Sequence, residues 1–339
     1  MTKGTGMAAD IAEQPEVFAR LLDERTAEIA AIAAAISERR PRHVVFTARG
    51  TSDHAALYGA YLTEIRLGIP AGLASPSAIT VYGARPDLRD CLVVGVSQSG
   101  ESPDLTEVIR VAREQGALTL AVTNAPGSPL TEAAQLQLDL AAGPERAVAA
   151  TKTYTAELLA LLLLVEAVRG HSDEERRALA QLPDLARATI EDPTATELAG
   201  RYRFAGQLVT TGRGYAYPTA REAALKLMET SYVAALAFSG ADLLHGPLAM
   251  ADADVPVLAV VGGGPAGESM RGVLDRLRER RADLVVVGPG GAIPTPAVDE
   301  RHAALLDILP LQRLALALAL ARGEDPDAPR ALRKVTATL

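Results

Sequence analysis

The sequence predicts an α/β protein made of two tandem, doubly wound parallel-sheet domains, and three observations support this fold class. Short apolar runs alternate with longer segments of helical periodicity, which is typical of parallel sheets covered by helices. The pattern occurs twice, because residues 46–50 (FTARG) correspond to residues 210–214 (TTGRG) at an offset of about 164 residues. A chain of 339 residues is also long enough for roughly two domains of ordinary size.

The first half opens with an expected flexible tail over residues 1–8 and a helix over residues 15–37. Apolar runs that end in turn-forming or hydroxyl-bearing residues predict strands at 43–47, 92–96, 118–122 and 136–140. The expected helices between and after these strands cover 53–67, a segment that starts at Pro103, and 153–168. Proline suits the first turn of a helix because its missing N–H has no partner there.

The second half repeats this order after a helical linker that is rich in charge and alanine. Strands are expected at 208–211, 255–261 and 284–287. The helices are expected after the turn at 212–214, at 268–280, and at 311–322 behind an apolar run at 305–309. The resulting boundaries are a tail and helix at 1–38, a first domain at 39–170, the linker at 171–200, a second domain at 201–322 and a tail at 323–339.

Composition and charge exclude several classes of protein. A formal net charge of −8 argues against a nucleic-acid binder or a protein of anionic membranes. The longest strongly apolar run, residues 158–165, is far shorter than the ~20 residues of a membrane span, and no signal-peptide pattern opens the chain. Cys91 is the only cysteine, which fits a cytoplasmic protein. The five histidines lack metal-ligand spacing, so we expect neither a metal nor a cofactor.

Lysine is scarce in this chain. Of the 34 basic residues, only Lys3, Lys152, Lys226 and Lys334 are lysines. Arginine keeps its proton and forms no imine, whereas lysine can lose its proton and can form one. We therefore treat the last three lysines as candidates for a functional role, with chance retention as the alternative.

A serine-rich segment, residues 97–102 (SQSGES), follows the second predicted strand of the first half. Its hydroxyl and backbone N–H groups converge on a helix N-terminus, which suits a phosphate monoester. Thr51 and Ser52 lie at the neighbouring strand end and could add further hydroxyl groups. The alternative is ordinary helix capping by Ser99 or Ser102.

A second constellation lies on the helix after residue 214. Glu222, Lys226 and Glu229 are spaced i, i+4, i+7 and therefore share one helix face, and His245 follows downstream. Two carboxylates and an ammonium near a histidine could make a proton-transfer site. The alternative is a surface Glu–Lys pair that stabilises the helix.

Together these segments resemble the sugar isomerase (SIS) superfamily, above all the isomerase half of glutamine–fructose-6-phosphate aminotransferase and free-standing aminosugar-phosphate isomerases and deaminases. The matching segments cover nearly the whole chain: 97–102, 145–152 (ERAVAATK), 223–232 (AALKLMETSY), 244–248 (LHGPL) and 325–334 (DPDAPRALRK). The resemblance implies two flavodoxin-like SIS domains, a helical N-terminus, a catalytic C-terminal tail, and a homodimer with shared active sites.

The resemblance also implies a role for each matching residue. The 6-phosphate of the sugar would be held by Thr51, Ser52, Ser97, Gln98, Ser99 and Ser102. Glu145 and Val148 would contact the sugar. Glu229 would move a proton between C1 and C2, His245 would assist ring opening, and Lys334 would supply an imine-forming amine. Lys226 and Glu222 would support this site.

The chain also departs from the pattern of these relatives. Ala150 stands where a serine is common, and Asp242 stands where a glutamate is usual. The glutaminase domain with its cysteine nucleophile is absent, so glutamine hydrolysis is not expected.

Three functions therefore stay open. The first is isomerisation and deamination of glucosamine 6-phosphate, or its reversal with free ammonia, through an enediol. The second is a lyase that dehydrates N-acetylglucosamine 6-phosphate at C2–C3. The third is a non-catalytic regulator that binds a phosphorylated sugar.

Overall fold

Two five-stranded parallel sheets organise the chain, which the computed structural model describes from residue 2 to residue 334. The first of two compact units comprises Glu16–Glu145, Lys152–Gln181 and residues 333–334. The second comprises residues 2–15, Arg146–Thr151 and Leu182–Leu332.

The strands of the described residues fall into two sets of five, one for each unit. The first set is β1 His43–Thr47, β2 Ala71–Leu73, β3 Cys91–Ser97, β4 Leu118–Thr123 and β5 Leu136–Asp139. The second set is β6 Gln207–Gly212, β7 Ala234–Ser239, β8 Pro256–Val260, β9 Asp283–Gly288 and β10 Ile293–Pro294.

The helices lie before, between and after these strands. Up to residue 169 they are α1 Thr5–Ala12, α2 Gln14–Glu24, α3 Thr26–Arg39, α4 Thr51–Leu62, α5 Pro76–Thr80, α6 Pro103–Glu114, α7 Pro129–Ala133 and α8 Lys152–Arg169. From residue 173 they are α9 Asp173–Ala180, α10 Leu182–Glu191, α11 Thr194–Glu197, α12 Ala199–Tyr202, α13 Ala216–Ser231, α14 Gly240–Leu244, α15 Gly264–Ser269, α16 Arg271–Glu279 and α17 Glu300–Ala321. A π-helical turn, Thr63–Leu67, extends α4, and a 3-10 turn covers Pro247–Met250.

Both sheets have the same strand order, which confirms the predicted fold class. The first sheet runs β2-β1-β3-β4-β5, and the second runs β7-β6-β8-β9-β10. Every pairing is parallel, and Phe46 on β1 lies opposite Val94 on β3. In each sheet the chain reverses its direction of winding between the first and third strands, which is where doubly wound folds bind ligands.

Several local predictions were wrong. Residues 5–8 belong to α1, because Asp327 accepts hydrogen bonds from the N–H groups of Gly6 and Met7 and so caps that helix. The apolar run at 305–309 lies inside α17, which continues through Pro310. The edge strands β2 and β7 were missed because their alanine and glycine residues give little strand signal.

One helix of the described residues, α17, is long and apolar enough to cross a membrane by length and composition alone. However, 78% of its apolar window is buried inside the protein. Within the second unit α17 packs against α10, α11, α12 and α13. This burial is the profile of a core helix.

Candidate active site

In the first unit, the loops that follow β1 and β3 meet at the point where the strand order reverses. Arg49 follows β1, and Asp104 lies in the first turn of α6, directly after the serine-rich loop. Their side chains form an ion pair of 2.7 Å between Nη2 and Oδ2. The ion pair holds the two predicted phosphate-binding segments next to each other.

The serines of the loop 97–102 brace the loop itself. The N–H of Gly100 donates to Ser97 Oγ at 3.1 Å, and the N–H of Glu101 donates to Ser99 Oγ at 3.3 Å. Among the residues that the structure describes, neither hydroxyl hydrogen has an acceptor, so both are available to an anion. Ser102 is the N-cap residue of α6, but its side chain makes no capping bond. Capping of α6 is therefore not what these hydroxyl groups do.

Gly100 gives the loop its shape. Its φ of +64° lies in the left-handed region, and a Cβ there would lie 2.0 Å from Ser128 Oγ. The carbonyl of Gly100 also accepts the N–H of Leu130, which ties the loop to α7. A side chain at position 100 would therefore displace the serine loop from Ser128 and α7.

Ser52 lies in the first turn of α4 and makes a different kind of hydrogen bond. Its hydroxyl donates to Glu157 Oε1 at 2.7 Å, and Glu157 on α8 is completely buried. Glu157 was not among the site residues predicted from the sequence. The signal was present, because a lone acid in the apolar run of α8 (TAELLALLLL) needs a polar partner when buried.

Glu145 has a structural task in the first unit. Its carboxylate accepts the N–H groups of Lys152 at 3.3 Å and Thr153 at 2.9 Å, so it caps the N-terminus of α8. Lys152 is fully buried at the start of this helix. The predicted sugar contact Val148 is half-buried and belongs to the second unit.

In the second unit, α13 carries Glu222, Lys226 and Glu229 on one face, as the spacing predicted. Lys226 Nζ lies 3.4 Å from Glu222 Oε1 and 2.6 Å from Glu229 Oε2. The side chains of Glu222 and Lys226 are 0% exposed, whereas that of Glu229 is 23% exposed. The alternative of a surface pair is therefore wrong, and Glu229 is the member that a ligand can reach.

The buried amine of Lys226 is held in its protonated form. Burial is the largest influence and would lower the pKa of Lys226. The carboxylates of Glu222 and Glu229 outweigh burial and raise the pKa above its ordinary value. A lysine that stays protonated forms no imine, so Lys226 can orient Glu229 but cannot attack a carbonyl.

The hydroxyl groups at the end of α13 fix this helix in the core of the second unit. Ser231 donates to the carbonyl of Ala315 on α17 at 3.3 Å, and the Thr230 hydroxyl donates to the Lys226 carbonyl within α13 at 2.7 Å. Glu229 therefore projects from a helix that a buried hydrogen bond ties to α17.

The two other predicted catalytic residues, His245 and Lys334, lie on elements other than α13. His245 is exposed at the end of α14. Ser239 caps the N-terminus of this helix by accepting the N–H of Asp242. The tail is fixed as far as Arg330, whose N–H donates to the Tyr232 hydroxyl at 2.7 Å and whose guanidinium covers the Tyr232 ring. Lys334 is half-buried and belongs to the first unit. No cluster of three potential metal ligands occurs among the described residues.

The fold and these side chains define a two-domain α/β protein with a serine-rich loop in one half and a carboxylate–ammonium cluster in the other. The SIS domain model matches residues 39–167 and 202–322, one match for each sheet. The chain belongs to the SIS domain family, which confirms the resemblance inferred from its motifs.

Named relatives agree with this family. The chain is 37% identical over 344 residues to glutamine–fructose-6-phosphate aminotransferase (isomerizing) of Pyrobaculum aerophilum, and the match covers 97% of this chain but 56% of the relative. The chain therefore spans about half the length of such curated relatives.

Solved structures agree as well. A candidate phosphosugar isomerase from Silicibacter pomeroyi has a TM-score of 0.87 at 34% identity and covers 95% of this chain and 100% of its own. The C-terminal domain of the aminotransferase from Francisella tularensis has a TM-score of 0.85 at 25% identity and covers 97% of this chain and 100% of its own. These relatives place the chain among the phosphosugar isomerases.

Proposed function

We propose that this protein is an aminosugar-6-phosphate isomerase and deaminase. It would convert glucosamine 6-phosphate and water to fructose 6-phosphate and ammonia, or run the reverse reaction with free ammonia. The observation that carries this proposal is the partly exposed Glu229 carboxylate, held at 2.6 Å by the buried ammonium of Lys226. A positioned carboxylate is the group that a C1–C2 proton transfer requires.

In the proposed mechanism the serine loop and Ser52 bind the 6-phosphate, and Glu229 takes the proton from C2 of the open-chain sugar. The aldehyde oxygen takes up a proton in this step, and when Glu229 returns its proton to C1 the C2 amine gives one up, which leaves a carbon–nitrogen double bond at C2. Attack by the amine of Lys334 would then release ammonia, and water would release fructose 6-phosphate and restore the lysine. Each step conserves atoms and charge, and glutamine hydrolysis is not needed.

The remaining elements of the proposal follow the family pattern. His245 would assist ring opening in a homodimer with shared active sites, and Glu145 and Val148 would contact the sugar. The domains at 39–170 and 201–322, the linker between them, the N-terminal segment 1–38 and the catalytic tail at 323–339 would form one cytoplasmic enzyme without a cofactor. The net charge of −8 supports a partner that is a small molecule rather than a nucleic acid.

A second candidate function is dehydration of N-acetylglucosamine 6-phosphate. The observation that favours it is Ala150, which is buried at a position where the resemblance to the SIS superfamily implies a serine. A changed sugar contact would permit a changed substrate. In that reaction Glu229 would remove the C2 proton, and the C3 hydroxyl would leave as water.

A direct assay separates these functions. The protein is incubated with glucosamine 6-phosphate, and ammonia and fructose 6-phosphate are quantified. A parallel incubation with N-acetylglucosamine 6-phosphate is followed for an unsaturated sugar product. Release of ammonia supports the deaminase, the unsaturated product supports the lyase, and sugar-phosphate binding without turnover supports a regulator.

The Glu229→Gln variant tests the assigned base. We expect turnover to fall by at least 100-fold, because general base catalysis contributes roughly 10²–10⁴. Binding of the sugar phosphate should be kept. Glu279→Gln is the matched control, since Glu279 is an exposed acid on α16. Unchanged turnover in the Glu229 variant would show that another residue is the base.

A further inference from the structure

The hydroxyl of Ser52 points its hydrogen into the protein. Ser52 is 7% exposed, and its hydroxyl donates a hydrogen bond to Oε1 of the buried Glu157 at 2.7 Å. A serine hydroxyl has one hydrogen and two lone pairs. Once its hydrogen is committed to a carboxylate, Ser52 can offer only lone pairs to a ligand.

The serines of the neighbouring loop are arranged in the opposite sense. Ser97 and Ser99 accept backbone N–H groups and therefore keep their hydrogens for a ligand. The loops after the neighbouring strands β1 and β3 thus combine a hydrogen-bond acceptor on one loop with hydrogen-bond donors on the other. The ion pair of Arg49 and Asp104 keeps the two loops together.

We propose that Glu157 is a positioning residue that makes Ser52 a hydrogen-bond acceptor, so that the site selects an oxyanion that carries a hydrogen. The ligand chemistry is a phosphate group with one protonated oxygen, which donates to Ser52 Oγ while its other oxygens accept from the serine loop. This inference rests on the proposed function only in assuming that the serine loop binds phosphate.

Sulfate is the probe that isolates this effect. It matches phosphate in shape but carries no hydrogen at neutral pH, whereas inorganic phosphate carries at least one. A fully deprotonated oxygen would face the lone pairs of Ser52 and be repelled, while a protonated oxygen would donate to them. The ratio of the two affinities therefore reports the direction of the Ser52 hydroxyl.

The experiment is titration calorimetry of the full chain with inorganic phosphate and with sulfate at pH 7. We expect the wild type to prefer phosphate by about tenfold or more, which is the effect of one hydrogen bond that involves a charged group. In Glu157→Met the Ser52 hydroxyl has lost the carboxylate that accepts its hydrogen, so it can donate that hydrogen to either anion, and the preference for phosphate over sulfate should fall by about tenfold. Ser52→Ala removes the hydroxyl oxygen that would accept the hydrogen of phosphate, so the preference for phosphate should fall by a similar factor.

Glu101→Met is the matched control. It also removes one negative charge from this edge of the sheet, but Glu101 is exposed, so both affinities should change alike and their ratio should be kept. Circular dichroism verifies folding, and if Glu157→Met fails to fold, Ser52→Ala carries the test alone.

Two results would overturn the inference. The first is that the wild type binds sulfate as well as phosphate, or that both variants keep the wild-type ratio of the two affinities. In that case the serine loop still binds phosphate, but Ser52 is not a fixed hydrogen-bond acceptor. If neither anion binds to the wild type, the phosphate assignment of the loop fails, and the inference fails with it.

Discussion

Asp307 should make the stability of this protein fall as pH rises, and replacing it with asparagine should remove that dependence. Asp307 is buried on α17, and its Oδ1 accepts the Thr295 hydroxyl at 2.7 Å. Its Oδ2 has no hydrogen-bond partner in the described residues. Burial raises the pKa of Asp307 from 3.8 to about 7, against a smaller opposite effect of the Thr295 hydrogen bond.

The size of the effect follows from proton linkage. Between pH 3.8 and about 7 the aspartate is ionised in the unfolded chain but protonated in the folded chain, so the folded state binds more protons. The free energy of unfolding therefore falls as pH rises through this window and is flat above it. A rise of about 3 pH units corresponds to about 4 kcal/mol at 1.36 kcal/mol per unit.

Denaturant unfolding at pH 5 and at pH 8 measures this effect. Asparagine does not titrate. From pH 5 to pH 8 the free energy of unfolding of Asp307→Asn should therefore rise by about 3 kcal/mol relative to that of the wild type. Asp299→Asn is the control. Burial of Asp299 is outweighed by its hydrogen bonds with Arg301, which lower its pKa to about 2, so it is ionised throughout this range. If the difference in free energy of unfolding between Asp307→Asn and the wild type is the same at both pH values, the reasoning is refuted.

Three further predictions concern the loop, the cluster and the tail. Lys226→Met should lower the free energy of unfolding by about 3–5 kcal/mol, because it leaves the buried Glu222 carboxylate without its cation; a loss below 1 kcal/mol in chemical denaturation would contradict this. Gly100→Ala should abolish phosphate binding in calorimetry, since its Cβ would collide with Ser128, and retained affinity would show that the loop yields. Asp327→Ala should cost about 1 kcal/mol and speed amide hydrogen exchange in the first turn of α1, whereas unchanged exchange would mean that the cap is dispensable.

The strands that line the candidate site could be predicted because parallel strands are buried on both faces. Such strands contain continuous apolar runs, and β1, β3 and β8 have this pattern, whereas β6 has only Leu208 and Val209. Their ends could also be predicted, since turn-forming and hydroxyl-bearing residues follow each run. The edge strands β2 and β7 escaped detection because they have few large side chains to show an alternating pattern.

The course of α17 and α1 could not be predicted, because each depends on a distant part of the chain. A proline at position 310 normally ends a helix, but α17 continues through it, and its packing against α13 and three shorter helices stabilises it. Likewise, α1 begins where Asp327, more than 300 residues away, accepts the N–H groups of its first turn.

The sequence by itself determined the repeated α/β fold, the family, the serine loop and the shared face of Glu222, Lys226 and Glu229. These features depend on residue type and local spacing, which are properties of the chain alone. Only the tertiary structure decided that Lys226 is buried between two acids, and that the Ser52 hydroxyl donates to Glu157. Burial and hydrogen-bond direction depend on which distant side chains pack against a residue, and no local pattern records that.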